Sequence, residues 1–114
     1  MLKRILAAKK IEVEKLKNEL NPDSVCQPKL SFNPITYFKR KSKKVAVIAE
    51  IKKASPAKGI LCKDFDPIKL ADDYVINGAA AISVISDQQF FGGDKEYIQK
   101  VRQISNLPVL RKDF

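Results

Sequence analysis

The sequence contains no histidine and no tryptophan, and only two of its 114 residues are cysteines. Without histidine, the chain itself offers no imidazole base, no imidazole metal ligand and no Ser-His-Asp triad. Cys26 and Cys62 are not spaced as a CxxC pair, which disfavours a zinc site and a disulfide framework and favours a reducing compartment. The apolar stretch at residues 5–8 is too short for a signal sequence, and no run approaches the roughly 20 apolar residues that span a bilayer. These absences predict a cytoplasmic protein without a membrane-spanning segment.

Positive charge is concentrated towards the amino terminus. Lysine and arginine outnumber aspartate and glutamate by 22 to 13, which gives a net charge of +9, and almost all of this excess lies in residues 1–44. Residues 39–44 are all basic except Ser42. Such a run could contact nucleic-acid phosphates or an acidic partner, but no aromatic side chain interleaves it. We favour a solvated connector and expect no nucleic-acid partner, and a small basic binding module stays as the alternative.

The first 44 residues are predicted to be helical. Apolar residues recur at helical spacing over residues 2–20, and opposite charges lie four residues apart on the same stretch. Asn33-Pro34 has the pattern of an N-cap followed by proline at the first helical position, which predicts a shorter helix through residues 35–38. We therefore expect two helices, joined by a polar connector, before the strand pattern that begins at residue 45.

The remaining residues alternate between strand and helix patterns. Apolar runs at 45–51, 79–85 and 107–110 predict three strands, of which the first two are buried on both faces. Asp66-Pro67 opens the first intervening helix and Asn77-Gly78 ends it, and Gly92-Gly93-Asp94 opens the second helix. The side chains predicted to face the core are Ile68, Ala71, Tyr74, Val75, Tyr97, Ile98, Val101 and Ile104.

The order of these elements predicts an α/β protein with a parallel sheet covered by helices, either doubly wound or a barrel. No glycine-rich dinucleotide motif and no phosphate-binding P-loop motif is present.

Charged side chains follow the predicted strands at their carboxyl ends. Glu50 and Lys52 lie two residues apart and share a face at the end of the first strand, and Lys112 follows the third strand. Because active sites of parallel α/β folds lie at these strand ends, we expect the three side chains to converge. A lysine there can bind an anion, and a lysine in a drier site can have its pKa lowered enough to act as a general acid. A solvent-exposed ion pair is the alternative that these residues alone leave open.

Two loops offer further contacts. The basic turn at residues 53–59 presents hydroxyl and amide donors that could bind an anion. Phe90-Phe91-Gly92-Gly93 places two aromatic rings at a strand-to-helix junction, where a ring can either stack on a planar substrate or pack in the core.

Five short blocks occur in an order that matches one known pattern. They are IAEIKKASP at 48–56, DFDP at 64–67, AAISV at 80–84, FFGG at 90–93 and LRKDF at 110–114. Together they resemble the indole-3-glycerol phosphate synthase family of tryptophan biosynthesis. The resemblance implies a (β/α)8 TIM barrel with an N-terminal helical extension. Residues 1–44 would be this extension, and residues 45–114 would be the first three strands and two helices of the barrel. Because such a barrel takes about 250 residues, we expect an incomplete barrel here.

The resemblance also implies a reaction and roles for particular residues. The reaction is ring closure of 1-(2-carboxyphenylamino)-1-deoxyribulose 5-phosphate with loss of carbon dioxide and water, and it needs no cofactor or metal. By the family pattern, Lys112 is the general acid, Lys52 binds the substrate carboxylate and Glu50 orients and balances both lysines. The further substrate-binding residues are Ser55, Phe91 and Phe114.

The chain departs from the family pattern in two ways. Ala57 stands where the family commonly has a second serine, and we expect this change to be tolerated. The family's catalytic glutamate, a later asparagine and the phosphate-binding loops belong to later strands, so we expect this chain alone to be inactive without the missing barrel half. Another phosphate-handling barrel enzyme stays as an alternative, because a fold does not fix a function.

Overall fold

The computed structural model describes residues 1–21, 33, 37–39 and 45–114. The chain divides into two compact units, Met1–Lys44 and Val45–Phe114. No helix among the described residues is long and apolar enough to cross a membrane.

The described part of the first unit consists mainly of one helix, α1 (Leu2–Glu19), which confirms the predicted first helix. Ion pairs three residues apart link successive turns. Lys9 Nζ lies 2.7 Å from Glu12 Oε2, and Lys17 Nζ lies 3.1 Å from Glu14 Oε1. Because such pairs on a helix surface each contribute about 0.2–0.5 kcal/mol, they support the helix only modestly.

Only part of the predicted second helix lies within the described residues. Tyr37 and Phe38 are helical, and the Tyr37 N–H donates to the Asn33 carbonyl oxygen at 2.9 Å. The rest of that predicted helix, at residues 34–36, lies outside the described residues. Of the basic run at 39–44, the structure describes Lys39 alone, whose side chain is exposed. The described residues therefore test neither the solvated connector that we favour nor the alternative of a basic binding module.

The second unit contains a parallel three-stranded sheet. Its elements are, in chain order, β1 (Ile48–Ile51), β2 (Ala54–Ser55), β3 (Gly59–Ile60), α2 (Pro67–Ile76), β4 (Ala81–Ile85), α3 (Gln88–Phe91), α4 (Glu96–Ile104) and β5 (Val109–Lys112). The sheet has the order β1-β4-β5, and both strand pairs are parallel. β2 and β3 form a separate antiparallel hairpin. The predicted α/β class with a parallel sheet is confirmed.

Both edge strands begin later in the chain than predicted. The strand expected over 45–51, buried on both faces, begins three residues later, and Val45 and Val47 are exposed. This prediction was wrong because β1 lies at an edge of the three-stranded sheet, where an apolar run need not be buried on both faces. β5, at the other edge, also starts later than the predicted 107–110 strand. Central β4, in contrast, is buried at every position.

A small apolar core joins the sheet to the two longer helices. Its buried members are Ile51, Ala71, Ile82, Val84 and Val101. α2 contacts β1 and α4, and α4 contacts β5, so the two helices cover the sheet together. This burial of aliphatic side chains on both helices and the sheet is the main apolar contribution to the stability of the second unit.

The helix faces were predicted only in part. Ala71 and Val101 are buried, and Tyr74, Tyr97 and Ile98 pack against the core, as predicted. Three residues that were expected to face the core are instead exposed: Ile68, Val75 and Ile104. The physical reason is that each helix contacts its neighbours along a stripe narrower than its apolar face, so residues at the margin of that face stay in solvent.

The boundaries of α2 follow from local chemistry. The Asp66 carboxylate accepts the N–H groups of Ile68 at 2.8 Å and Lys69 at 3.2 Å, and Pro67 occupies the first turn. The chain leaves the helix through Gly78, whose φ of +80° suits glycine. Both predicted ends of this helix are confirmed.

Two short elements were not predicted. The β2-β3 hairpin turns at residues 56–58, where the Lys58 N–H donates to Ser55 Oγ at 3.2 Å. Helix α3 is capped by Asp87, whose carboxylate accepts the N–H of Phe90 at 2.6 Å and of Phe91 at 3.3 Å. These elements follow the carboxyl ends of β1 and β4, so they lie on the side of the sheet where the charged cluster forms.

Candidate active site

A single carboxylate joins two lysines at the carboxyl ends of the sheet. Glu50 Oε1 accepts a hydrogen bond from Lys52 Nζ at 2.6 Å, and Glu50 Oε2 lies 3.0 Å from Lys112 Nζ. All three side chains are partly buried. The structure therefore brings together the three residues that the sequence predicted to converge. Their chemical roles stay predictions.

The pairing of the strands explains how this contact forms across the sheet. β1 and β5 are separated by β4, so their backbones are about 10 Å apart. The register places Glu50 opposite Ser83 and Lys112 opposite Ile85, and these two β4 residues point to the same face. Two long side chains on one face can thus meet over the central strand.

Lys112 also contacts a second carboxylate. Its Nζ donates to Asp113 Oδ2 at 3.0 Å. Adjacent residues of a strand face opposite sides of the sheet, so their side chains do not normally meet. Here they do because Asp113 follows the end of β5 and adopts a left-handed backbone conformation, with φ of +54°.

These contacts set the charge states of the cluster. Partial burial raises the pKa of the Glu50 carboxyl, but the hydrogen bonds from Lys52 and Lys112 and the positive charges of both lysines together outweigh that effect and leave the pKa below its ordinary value. The hydrogen bond to Asp113, followed by that to Glu50, raises the pKa of Lys112 above its ordinary value. The expected lowering of a lysine pKa in a drier site was therefore wrong for Lys112, because these contacts with carboxylates outweigh the effect of burial. At neutral pH, Glu50 is therefore a carboxylate and Lys112 an ammonium, the form that can donate a proton.

The four charges of the cluster balance one another. Two ammonium groups, on Lys52 and Lys112, face two carboxylates, on Glu50 and Asp113. An anion that binds Lys52 must consequently share the Lys52 ammonium with the Glu50 carboxylate or displace that carboxylate. Among the described parts of the chain, no group of three or more histidine, cysteine, aspartate or glutamate side chains could hold a metal ion.

Two hydrogen bonds fix the backbone of the strand ends that carry the cluster. The Tyr74 hydroxyl, on α2, donates to the Glu50 carbonyl oxygen at 3.0 Å. The Ser86 N–H, just after β4, donates to the Lys112 carbonyl oxygen at 2.9 Å. Both bonds link the cluster residues to a neighbouring element, so the positions of the two side chains depend on the packing around them.

The three further residues that the resemblance implies as substrate contacts lie in different surroundings. They are Ser55, Phe91 and Phe114. Ser55 is half-buried on the hairpin, where its hydroxyl accepts the Lys58 N–H of the turn. Phe91, at the end of α3, is also half-buried, and α3 packs against β2, so Ser55 and Phe91 lie on contacting elements. Phe114 is exposed, and its ring centroid lies 5.3 Å from the Arg111 guanidinium carbon. Their substrate contacts stay predictions.

Comparison with known proteins decides the family. A family model described as indole-3-glycerol phosphate synthase matches residues 2–114. The chain belongs to the indole-3-glycerol phosphate synthase family. The resemblance carried by the five sequence blocks is thereby confirmed.

Curated relatives bearing the name indole-3-glycerol phosphate synthase agree with this assignment. The protein of Geobacillus thermodenitrificans is 44% identical over 115 residues, that of Acetivibrio thermocellus 39% over 120, and that of Roseiflexus castenholzii 45% over 123. Each alignment covers 100% of this chain but only 43%, 46% and 46% of the respective relative. The chain thus spans less than half the length of these members of the indole-3-glycerol phosphate synthase family.

Two contacts around the cluster were missed by sequence reasoning. Asp113 follows Lys112 directly, and strand alternation would place its side chain on the opposite face. Tyr74 was predicted to face the core, where a tyrosine hydroxyl usually finds a polar partner. That preference was a usable signal for the bond from Tyr74 to β1, whereas nothing in the sequence signalled the left-handed backbone of Asp113.

Proposed function

We propose that a polypeptide carrying this chain catalyses the synthesis of indole-3-glycerol phosphate from 1-(2-carboxyphenylamino)-1-deoxyribulose 5-phosphate. Membership of the indole-3-glycerol phosphate synthase family supports this reaction. The observation that carries the proposal is the Glu50 carboxylate held between Lys52 and Lys112 at the carboxyl ends of parallel strands. Active sites of this class of fold lie at those ends.

In the proposed reaction, the ring carbon that bears the carboxylate bonds to the ketone carbon of the substrate. Carbon dioxide leaves and its bonding electrons return to the ring. The former ketone oxygen takes up two protons and departs as water, while the adjacent methylene carbon loses a proton to the base that the other part of the barrel supplies, and the electrons of that C–H bond form the new double bond of the five-membered ring. Lys112, which is an ammonium at neutral pH, donates one of these protons to that oxygen. Lys52 binds the substrate carboxylate, while Glu50 holds both lysines in place. Ser55, Phe91 and Phe114 provide the surrounding substrate contacts, and neither a cofactor nor a metal takes part.

In this proposal, the complete enzyme is a cytoplasmic (β/α)8 barrel. Residues 45–114 are its first three strands and two longer helices, and residues 1–44 are its helical extension. The two compact units, Met1–Lys44 and Val45–Phe114, support this division, and the coverage of less than half of each relative supports an incomplete barrel. The catalytic glutamate, the asparagine and the phosphate-binding loops of the family come from the other part of the barrel. The 114-residue chain alone is therefore expected to form no product.

A chimaera tests the proposal. In it, this chain replaces the aligned segment of the Geobacillus thermodenitrificans relative, and indole product is followed by its fluorescence. Lys112→Ala is compared with Lys100→Ala, a matched control because Lys100 also pairs with a glutamate, Glu96, but lies on the surface of α4.

The chimaera should turn over substrate, and Lys112→Ala should lower kcat by about 10²–10⁴-fold, the usual contribution of a general acid. Lys100→Ala should leave kcat unchanged, and Lys52→Ala should raise KM. A folded chimaera without turnover would reject the proposed function. Turnover by Lys112→Ala within a few-fold of the unaltered chimaera would reject the role of Lys112.

A further inference from the structure

The Lys112 ammonium is held from two sides. It carries three N–H bonds in a tetrahedral arrangement. Glu50 Oε2 lies 3.0 Å from Nζ on the β1 side, and Asp113 Oδ2 lies 3.0 Å from it on the other. Two carboxylate oxygens, each 3.0 Å from Nζ, restrict the rotation of the ammonium and leave one N–H bond for a third acceptor. A single carboxylate would leave the ammonium free to rotate about one contact.

The backbone at Asp113 is adapted to this contact. A left-handed conformation costs an ordinary residue roughly 1–2 kcal/mol, although aspartate and asparagine tolerate it better than most. Asp113, with φ of +54°, is the one residue other than glycine with positive φ among the described residues. This unusual turn is what brings the Asp113 carboxylate to the same side as the Lys112 side chain.

We propose that Asp113 is a positioning residue for Lys112: together with Glu50 it fixes the ammonium so that its remaining N–H points to the substrate oxygen. The inference rests on the proposed function, because it names the group that aims the general acid. Asp113 acts through Lys112 and does not itself touch the reacting atoms.

The charges around Lys112 determine what the loss of Asp113 does. Lys112 faces Glu50 from β1, whose other oxygen is bonded to Lys52, and it faces Asp113 from its own chain segment. Arg111 is directed elsewhere, since its Nε donates to Ser86 Oγ at 3.0 Å. Without the Asp113 charge, a single carboxylate must balance two lysines. The pKa of Lys112 should then fall, and its ammonium should lose its fixed direction.

Three variants distinguish the effect of the Asp113 charge from that of its left-handed backbone conformation. Asp113→Asn removes the charge but keeps a residue that tolerates the left-handed conformation, and Asp113→Gly keeps the conformation without any side chain. Asp72→Asn, on the exposed surface of α2, makes the same change in net charge away from the cluster. The titration of Lys112 is measured in the 114-residue chain by NMR of ¹³C-labelled lysine, with the signal assigned by Lys112→Arg.

In the chimaera, both Asp113 variants should lower kcat about ten- to a hundredfold, as expected for a misdirected group, with little change in KM. The alkaline limb of the kcat profile and the NMR titration of Lys112 should both move to lower pH. Asp72→Asn should change none of these quantities. Unchanged kcat and an unchanged Lys112 titration in Asp113→Asn would overturn the inference and leave the proposed function standing. A folded, unaltered chimaera without turnover would overturn both.

Discussion

Replacement of Gly93 by alanine tests how tightly the loop after α3 is packed. The Gly93 N–H donates to the Asp87 carbonyl oxygen at 2.7 Å. A Cβ at this position would lie 2.3 Å from the carbonyl oxygen of Ile85 and 2.9 Å from that of Asp87. Both obstacles are backbone atoms, which cannot rotate away as a side chain can. In Gly93→Ala, either the end of β4 or the loop itself must move.

The size of the effect follows from these distances. A separation of 2.3 Å is roughly 1 Å shorter than ordinary van der Waals contact. Relieving it introduces strain of about 1–3 kcal/mol and weakens a hydrogen bond worth about 1 kcal/mol. Alanine also restricts the unfolded chain, which returns about 0.4–1 kcal/mol. The free energy of unfolding should therefore fall by about 1–3.5 kcal/mol.

Urea unfolding of the chain, followed by circular dichroism, measures this loss. Gly59→Ala is the matched control, since Gly59 has φ of +66° but no heavy atom within 4 Å of an added Cβ. Gly59→Ala should lower the free energy of unfolding only through left-handed backbone strain of about 1–2 kcal/mol. The restriction of the unfolded chain by alanine offsets part of this loss, as it does in Gly93→Ala. If Gly93→Ala proves no more destabilising than Gly59→Ala, the steric reasoning is wrong.

Two further outcomes are expected from the same unfolding assay. Asp66→Ala should lower the free energy of unfolding by about 1 kcal/mol, because two N–H groups at the start of α2 lose their acceptor. Asp64→Ala is the control, and an equal loss of stability in both variants would contradict the capping role of Asp66. Because the pKa of Glu50 is below its ordinary value of 4.5, its ionised form stabilises the fold above that pH and this contribution is lost on acidification. Glu50→Gln should therefore be less stable at pH 7 and show a weaker loss of stability between about pH 5 and pH 2, whereas an unchanged slope would show that Glu50 is not coupled to folding.

The fold was predictable where local chemistry or a buried run decides it. Asp66 caps α2 through its own carboxylate and Pro67 lies in its first turn, so the residue types alone predict the start of this helix. The continuous apolar run of β4 predicts a strand buried on both faces. The edge strands were harder, because apolar composition does not distinguish a central strand from an edge strand. Val45 and Val47 read as strand residues yet lie exposed before β1. The two-residue strands of the hairpin are too short to show any period.

The cluster was predictable for a topological reason. Parallel strands end on the same side of a sheet, which is enough to expect Glu50, Lys52 and Lys112 near one another. Asp113 could not be placed in the same way, because its contact depends on a backbone angle that the residue type permits but does not require. Residue type and strand topology therefore predicted three members of the cluster. The fourth, Asp113, joins it through the conformation of its own backbone.

The ion pair between Glu50 and Lys112 also makes the charged cluster a late product of folding. Its partners stand at opposite edges of the sheet and two strand–helix units apart in the chain, so they meet only after both strand pairings are complete. A slip of one residue in either pairing would turn one of the side chains to the other face. Such long-range contacts form slowly compared with local ones. A misregistered chain would carry the same charges without assembling them, so the cluster exists only in molecules whose sheet has reached the correct alignment.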